Sequence, residues 1–222
     1  MSSRAPSYVI ALSGGSGSGK STIADGLLET LGSGSAVQFH EDAYYWPTAH
    51  YGSGVDKASI NYDDPASKDV AFMARDLSAL KSGHAIEQPV YDYARHDRAR
   101  ETRRIEPADI IVLEGIHVLS IPAIAPLIDL SVYVDTTVDL RLARRIRRDV
   151  VERGRDVEGV LEQYLSTVRP AHYRFTHPAK YQSDLVIADE GLPAYGRVKP
   201  SKEAVDRMLA PILDRLRVAG VV

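Results

Sequence analysis

The sequence of 222 residues contains no cysteine. Disulfide bonds, cysteine-ligated zinc and thiol catalysis are therefore excluded. It also lacks an apolar run of about 18 residues, the length that a membrane-spanning helix needs. The polar start of the chain has no signal-peptide core. We expect a cytoplasmic protein that does not enter a membrane.

A charge excess of one sign is also missing. The chain has 27 lysines and arginines against 30 aspartates and glutamates, a net charge of −3. No overall attraction to nucleic acid is expected from this balance. The hydrophobic content of 44% is typical of a globular protein with one sizeable core. We expect a single domain over residues 1–222.

The most informative stretch of the sequence is a phosphate-binding loop with the spacing G-x-x-x-x-G-K-[ST]. An apolar strand over Tyr8–Leu12 precedes it, and a helical pattern over Ser21–Leu31 follows. Glycines let the backbone approach phosphate oxygens, and the helix N-terminus faces the anion. Lys20 would contact the outer phosphates, and the Ser21 hydroxyl suits Mg²⁺. The predicted triphosphate-binding residues of this stretch are Gly14, Gly15, Ser16, Gly17, Ser18, Gly19, Lys20, Ser21 and Thr22.

Three acidic residues are candidates for binding a ligand, and two of them follow predicted strands. In open α/β sheets, ligands bind beyond the carboxyl ends of the strands. Asp42 follows a predicted strand over residues 36–40, and Glu114 ends an apolar strand that begins at Ile110. Phosphate-loop proteins hold Mg²⁺ through an acid at the position of Glu114, so Glu114 and Ser21 are the predicted metal ligands. Asp63 lies just outside a helix that we expect Asp64 to cap and that runs to about Lys81, so Asp63 has no capping role and is free to bind a ligand.

A predicted β-hairpin over residues 85–105 follows this helix. It is interrupted near Pro89, because proline weakens strand pairing. Tyr91 and Tyr93 alternate onto one face, and His96 lies at the turn. Such residues are more often involved in packing or solvation than in catalysis.

An arginine-rich helix is the second distinctive stretch. Seven arginines and no lysine lie between Arg141 and Arg155. We expect Leu142, Ile146 and Val150 to form the buried stripe of this helix, with most arginines facing away from it. Arginine suits bidentate phosphate contacts. We interpret residues 139–165 as an arginine lid that closes over a triphosphate, and nucleic-acid binding by this helix is the alternative.

Strands alternate with helices along the whole chain. This order predicts an α/β fold with a parallel sheet and helices on both faces. With the phosphate loop, the inserted hairpin and the lid, it indicates a P-loop kinase of the nucleoside-monophosphate-kinase type.

These stretches together resemble the uridine kinase (uridine–cytidine kinase) family, especially its bacterial form. The matching runs are GGSGSGKST, EDAYY, NYDDP, PVYDYARHDR, IIVLEGI and RRIRRDVVERGRD. The resemblance implies transfer of a phosphoryl group from ATP or GTP to the 5′-hydroxyl of uridine or cytidine, in pyrimidine salvage. It also implies a homotetramer. Residues 190–200 depart from the shorter turn that the family has there.

The same resemblance assigns roles to individual residues. It implies that Asp42 is the catalytic base, beside Lys20, and that Asp63 binds the ribose hydroxyls. Tyr91 and His96 match the pair that reads the base, and Tyr62 and Tyr93 line it. Further substrate contacts match Arg145, Arg155 and Gln163, and phosphate contacts match Arg148 and Arg153.

Two other functions stay open from the residues alone. One is a sugar-phosphate kinase similar to phosphoribulokinase, whose doubly charged acceptor would call for basic residues where Tyr91 and His96 stand. The other is a nucleotide-dependent module that binds nucleic acid through the arginine helix.

Overall fold

The computed structural model describes residues 5–32, 34–56, 60–93, 95–189 and 200–222. All but the last residue of the stretch 190–200 lies outside this part of the chain. The strands are β1 (Tyr8–Ser13), β2 (Ala36–His40), β3 (Ile86–Asp92), β4 (Asp97–Ile105), β5 (Ile110–Glu114), β6 (Leu130–Asp135) and β7 (Leu185–Ala188). The helices are α1 (Lys20–Leu31), α2 (Val70–Lys81), α3 (Val138–Val151), α4 (Val157–Gln163), α5 (Arg169–Ala171) and α6 (Lys202–Val218).

Five strands form a parallel sheet in the order β2-β5-β1-β6-β7. Side chains alternate between the two faces of each strand. In β1, Ile10 and Leu12 pack on the face that α1 and α6 cover, while Val9 and Ala11 pack on the face of α2. The predicted α/β fold with helices on both faces is confirmed.

The hairpin forms a separate antiparallel pair, β3 with β4, as the sequence predicts. Its register shifts between Pro89 and Tyr91. Proline has no N–H to donate to the ladder, which accounts for the irregularity at this point. The shift leaves Tyr91 buried and Tyr93 43% exposed.

The start of α2 differs from the prediction. The Asp64 side chain accepts from the Ala66 N–H at 2.9 Å and caps only a short 3₁₀ turn over Pro65–Ser67. A second acid, Asp69, caps α2 by accepting from the Phe72 N–H at 3.1 Å. The segment therefore bends at Lys68, between the two caps.

The predicted buried stripe of α3 is wrong. Arg141, Arg145 and Asp149 are the buried residues of this helix, whereas Leu142, Ile146 and Val150 are only half-buried. The reason is that α3 turns its inner face toward the polar phosphate loop rather than toward the apolar core. Arg145 has partners on the loop and within the helix, and Arg141 has partners at Thr136 and His172, so the buried charges are compensated.

Residues 157–181 are helical in several geometries. α4 continues into π-helical turns over Tyr164–Val168 and His172–Thr176, with α5 between them, and ends in a 3₁₀ stretch over His177–Tyr181. The sequence predicts broken helix and loop around Pro170 and Pro178. The wider turns accommodate Pro170, whose ring and missing N–H are incompatible with regular α-helical bonding.

No helix within the described ranges is both long and apolar enough to cross a membrane.

Candidate active site

The phosphate loop connects β1 to α1 and is closed around its own lysine. Lys20 Nζ donates to the carbonyl oxygens of Gly14 at 3.0 Å and Gly15 at 3.2 Å. Gly17 has a φ of +81°, and a Cβ there would lie 2.5 Å from the Arg141 carbonyl oxygen. A Cβ on Gly15 would collide with the Arg141 guanidinium. Glycine is therefore required at Gly17, whereas a side chain at Gly15 would displace the Arg141 guanidinium.

The remaining loop residues lie at the start of α1 and directly before it. Gly19 is the N-cap of α1, and Thr22 is half-buried on its first turn. The Ser18 carbonyl accepts from the Thr136 hydroxyl at 3.0 Å, which ties the loop to the segment after β6. Burial lowers the pKa of Lys20, opposed by the negative charges of Glu114 and Asp42. A phosphate group would supply this buried ammonium with a direct anionic partner.

Ser21 and Glu114 form the candidate metal position. The Ser21 hydroxyl lies 3.3 Å from each carboxylate oxygen of Glu114, and His40 Nδ1 lies 3.1 Å from Glu114 Oε1. A hydroxyl and a carboxylate are hard oxygen donors of the kind that Mg²⁺ takes. The described residues contain no cluster of three or more acidic or histidine side chains suited to a metal. This donor set fits Mg²⁺, which typically keeps waters and phosphate oxygens among its ligands.

Asp42 lies in a 3₁₀ turn over Glu41–Tyr44, directly after β2. Its Oδ1 pairs with Lys68 Nζ at 2.7 Å, and its Oδ2 accepts from the Tyr93 hydroxyl at 3.2 Å. The side chain remains 43% exposed. Although partial burial acts in the other direction, the Lys68 charge and hydrogen bond hold the pKa of Asp42 well below its usual range. The structure thus presents a carboxylate with one edge open.

Asp63 lies close to the phosphate loop and is 8% exposed. Its Oδ2 accepts from the Thr167 hydroxyl at 3.1 Å, and its backbone carbonyl accepts from His117 Nε2 at 2.8 Å. Ser16 of the phosphate loop lines the same narrow cavity. Asp63 therefore faces the interior of the protein, beside the phosphate loop.

An aromatic cluster lies between the two aspartates and contains all of the predicted base-contacting residues. The ring of Tyr62 lies 5.3 Å from His96, and Tyr91 lies 5.4 Å from Tyr93. Tyr45 joins the two pairs, with ring centroids 5.6 Å from Tyr62 and 5.0 Å from Tyr91. Burial and the negative charges of Asp42 and Asp63 raise the pKa of Tyr45 well above its usual value.

Four lid arginines surround one fully buried carboxylate, Asp149. The nitrogen-to-oxygen distances are 3.6 Å for Arg145, 2.9 Å for Arg148, 3.2 Å for Arg153 and 3.7 Å for Arg155. Asp149 therefore compensates part of the positive charge that the lid concentrates.

Two further contacts tie the lid to the rest of the site. Gln163 Oε1 accepts from Arg145 at 3.0 Å and from Arg155 at 2.6 Å, and Arg145 also donates to the Ser16 hydroxyl at 3.1 Å. The Arg153 guanidinium lies 4.8 Å from the ring centroid of Tyr93. The lid thus contacts both the phosphate loop and the hairpin.

A larger cavity of about 310 Å³ lies where β6 and β7 end, beside Arg141 and His172. Arg141 contacts His172 Nε2 at 3.2 Å, and Arg144 pairs with Asp189 and reaches the Gly17 carbonyl. The cavity adjoins the phosphate loop through Arg141. Sequence reasoning did not identify it, because its walls come from three separate segments.

Sequence reasoning also missed Lys68 and Asp149, the two buried charges that pair with predicted site residues. Asp149 could have been found, because it lies four residues after Arg145 and four before Arg153, the spacing of helical ion pairs. Lys68 offered no such signal, since its partners Glu41 and Asp42 lie far away in the sequence.

A parallel sheet in this strand order, a phosphate loop after its first strand and an arginine-bearing lid define a P-loop kinase. The model of the phosphoribulokinase/uridine kinase family matches residues 9–192, and the chain belongs to this family.

Individual relatives agree with this assignment. The chain is 40% identical to a uridine kinase of Alkaliphilus metalliredigens, covering 91% of this chain and 93% of the relative. It is 42% identical to a uridine kinase of Limosilactobacillus reuteri, covering 96% and 93%. Among solved structures, D-glycerate 3-kinase from Cryptococcus neoformans is similar with a TM-score of 0.63 at 13% identity, covering 85% of this chain and 87% of that one. That likeness concerns the fold alone.

Proposed function

We propose that this chain is a nucleoside kinase that transfers the γ-phosphoryl group of ATP or GTP to the 5′-hydroxyl of uridine or cytidine, giving UMP or CMP. The observation that carries the proposal is the arrangement of Asp42 and Asp63 around one aromatic cluster beside the phosphate loop. A nucleoside offers a hydroxyl to be phosphorylated, vicinal ribose hydroxyls and a flat base. Carboxylates suit the two kinds of hydroxyl, and the aromatic cluster suits the base.

The acceptor would bind with its ribose hydroxyls donating to Asp63 and its 5′-hydroxyl donating to Asp42. Its base would pack among Tyr62, Tyr91 and Tyr93, with His96 at the base edge. Aromatic side chains supply large apolar area, and histidine and tyrosine supply polar atoms for a pyrimidine edge. Arg145, Arg155 and Gln163 form the wall between acceptor and lid.

The donor would bind with its phosphates on residues 14–22. Mg²⁺ held by Ser21 and Glu114 would offset the charge of the outer phosphates. Lys20, Arg148 and Arg153 would neutralise charge on the transferring group, which is the main contribution of a protein to phosphoryl transfer. We assign the base of the donor to the cavity beside Arg141 and His172.

Two observations count against the alternatives. The acceptor side is built of tyrosines and a histidine, which suit a base better than the second phosphate of a sugar bisphosphate product. In the arginine lid, Arg145, Arg148, Arg153 and Arg155 turn inward to Asp149. A surface that binds nucleic acid would direct such side chains outward to backbone phosphates.

The test is a panel of acceptors with Mg²⁺-ATP and, separately, Mg²⁺-GTP. The acceptors are uridine, cytidine, adenosine, thymidine and ribulose 5-phosphate, with products identified by mass. Formation of UMP and CMP with thymidine inert would support the proposal, because thymidine lacks one of the hydroxyls assigned to Asp63. Activity on ribulose 5-phosphate alone would replace it with a sugar-phosphate kinase. Inactivity on every acceptor, together with salt-sensitive binding of RNA or DNA, would favour the binding module.

We further propose that residues 1–222 form one kinase domain, with the hairpin of residues 85–105 contacting the acceptor. Assembly into a homotetramer and a place in the cytoplasm are supported by the resemblance to bacterial uridine kinases. Light scattering coupled to size-exclusion chromatography tests the assembly, for which a mass near one chain of 24.3 kDa would be the contrary result.

A further inference from the structure

Lys68 is a fully buried lysine that the function proposed above does not use. Its side chain has no exposed surface, and it lies in the bend before α2 rather than on a helix or strand. Burial of an ammonium group costs several kcal/mol unless ionic and hydrogen-bond partners compensate it. A charged lysine at this position therefore needs partners that compensate its burial.

The backbone fixes Lys68 directly opposite the turn that carries Asp42. Tyr45 and Lys68 form an isolated antiparallel bridge. On either side of it, the Asp69 N–H donates to the Tyr44 carbonyl at 2.8 Å, and the Trp46 N–H donates to the Ser67 carbonyl at 3.0 Å. The Lys68 side chain is thus held against the turn by main-chain bonds as well as by its charge.

Two carboxylates and one aromatic ring surround the Lys68 ammonium group. Lys68 Nζ lies 2.8 Å from Glu41 Oε1, 2.7 Å from Asp42 Oδ1 and 4.2 Å from the ring centroid of Tyr45. Glu41 is itself fully buried, and its other oxygen accepts from the His117 N–H at 2.9 Å. The position of Glu41 is therefore fixed. Lys68 is held by Glu41 and in turn limits the movement of the more exposed Asp42.

We propose that Lys68 is a positioning residue that holds Asp42 as an ionised, oriented carboxylate facing the acceptor hydroxyl. This inference rests on the proposed function, since it takes Asp42 to be the group that meets the 5′-hydroxyl. Oδ1 is occupied by Lys68, and Oδ2 can accept one more hydrogen bond besides the one from Tyr93.

The pairing changes what Asp42 contributes to phosphoryl transfer. The bond from the 5′-oxygen to the γ-phosphorus forms while the bond from that phosphorus to the bridging oxygen breaks, and its electron pair leaves on the nucleoside diphosphate. The hydroxyl proton passes to Asp42 and then to water. A carboxylate held by Lys68 is a weak base, so the proton moves late, once the new bond has made the hydroxyl acidic. Asp42 then acts first by orientation.

Several charged or titratable groups face Asp42 from the surrounding elements. Lys68 approaches from the bend before α2, Lys20 from α1 and Tyr93 from the hairpin, while Glu41 lies on the same turn as Asp42. The two lysines favour the ionised form of Asp42, as does the hydrogen bond from Tyr93. Lys68 is the only member of this set that forms an ion pair with Asp42 among the described residues.

The test removes the Lys68 charge, and its double variant also removes the Glu41 charge that would otherwise be left unpaired. The variants are Lys68→Met, the double variant Glu41→Gln with Lys68→Met, and Glu41→Gln alone as the matched control. The double variant keeps a side-chain oxygen for the His117 N–H and covers the event that Lys68→Met alone does not fold. In each, the Asp42 carboxyl is titrated by ¹³C NMR, assigned by the signal missing in Asp42→Asn. The pH dependence of kcat/KM for uridine is measured in parallel.

We expect the titration midpoint of the Asp42 carboxyl to rise by about 1–3 pH units in the double variant. The pH at which kcat/KM falls off on the acidic side should rise by the same amount. The kcat at neutral pH should fall about 10- to 100-fold through loss of orientation. Glu41→Gln should keep the low titration, because Lys68 remains. A merely structural role would lower the melting temperature and move neither the titration nor kcat.

Two results would overturn the inference. One is an Asp42 carboxyl that titrates at the same pH in Glu41→Gln and in the double variant, whatever the activity. The other is a shifted titration with unchanged kcat. A wild-type protein that phosphorylates no nucleoside but shows the Lys68-dependent titration would instead reject the proposed function and leave the Lys68–Asp42 pair standing.

Discussion

At the scale of single residues, the charged side chains of the site have protein groups as partners. Lys20 donates to two carbonyls of its own loop, and Asp42 pairs with Lys68. Such groups cost no reorganisation when a substrate arrives, because their positions are already fixed. In the proposed function, the exposed edge of Asp42 is the part of this arrangement that the acceptor would contact.

Replacing Asp42 with asparagine should lower the kcat for uridine by about 10²–10⁴-fold, the range found for positioned proton acceptors. The amide keeps the size of the carboxyl but does not accept the proton. Because the amide is uncharged, it also forms no ion pair with Lys68. Steady-state kinetics with coupled detection of the nucleoside diphosphate measures the loss.

Asp64→Asn is the matched control, since Asp64 caps a short turn next to the site and asparagine also caps. Circular dichroism of both variants would establish that the fold is kept. A kcat for Asp42→Asn within threefold of wild type would remove Asp42 from the reaction.

At the scale of elements, α3 is built to bury charge. Its inner face carries Arg141, Arg145 and Asp149, each one turn apart. Arg145 contacts the phosphate loop at Ser16, and Arg141 contacts the Thr136 carbonyl after β6. Asp149 lies where the lid arginines converge. A single carboxylate thus keeps several like charges close together.

Asp149→Asn should destabilise the protein by about 3–5 kcal/mol, because it leaves buried arginine charge without its partner. For a chain of this size, we expect a fall in melting temperature of about 6–20 °C. Thermal unfolding followed by circular dichroism measures it, with Glu152→Gln at the exposed end of α3 as the control.

A triphosphate should restore part of this stability, since it offers the lid arginines a second anion. The role of Asp149 would be contradicted by a melting temperature within about 2 °C of the control, a change of less than about 1 kcal/mol.

The same helix shows where sequence reasoning succeeds and where it fails. The strand and helix order, the phosphate loop and the carboxylates at strand ends follow from local patterns, and the structure has the predicted fold. The buried face of α3 does not follow, because the apolar residues Leu142, Ile146 and Val150 form the stronger stripe. The role of Lys68 could not be predicted from local patterns either, because the bridge between Tyr45 and Lys68 joins residues that are distant in the sequence.

At the scale of the whole molecule, the phosphate loop is held from several directions. The sheet supplies β1 and β5 beneath it, α3 covers one side, and the helical segment 157–181 covers another. His172 lies where α3 meets that segment, 7% exposed, with Arg141 3.2 Å from its Nε2. Arginine only donates, so Nε2 is the acceptor and the imidazole is neutral.

Burial and the neighbouring Arg141 lower the pKa of His172 to about 3. In the unfolded chain the pKa of histidine is about 6.5, so between these values the unfolded state binds a proton that the folded state does not. Stability therefore falls as the pH falls through this window, by up to about 1.4 kcal/mol per pH unit. At pH 5, His172 alone should cost about 2 kcal/mol relative to neutral pH. His117, whose pKa burial also lowers, adds in the same direction.

His172→Gln should reduce this acid sensitivity, because glutamine still offers Arg141 an acceptor but does not titrate. We expect the free energy of unfolding, measured with urea at pH 7 and pH 5, to drop by about 2 kcal/mol less in this variant than in wild type. His84→Gln, at an exposed position, is the matched control. Equal drops in wild type and His172→Gln would mean that His172 takes up its proton in the folded state, and that Arg141 does not depend on it as an acceptor.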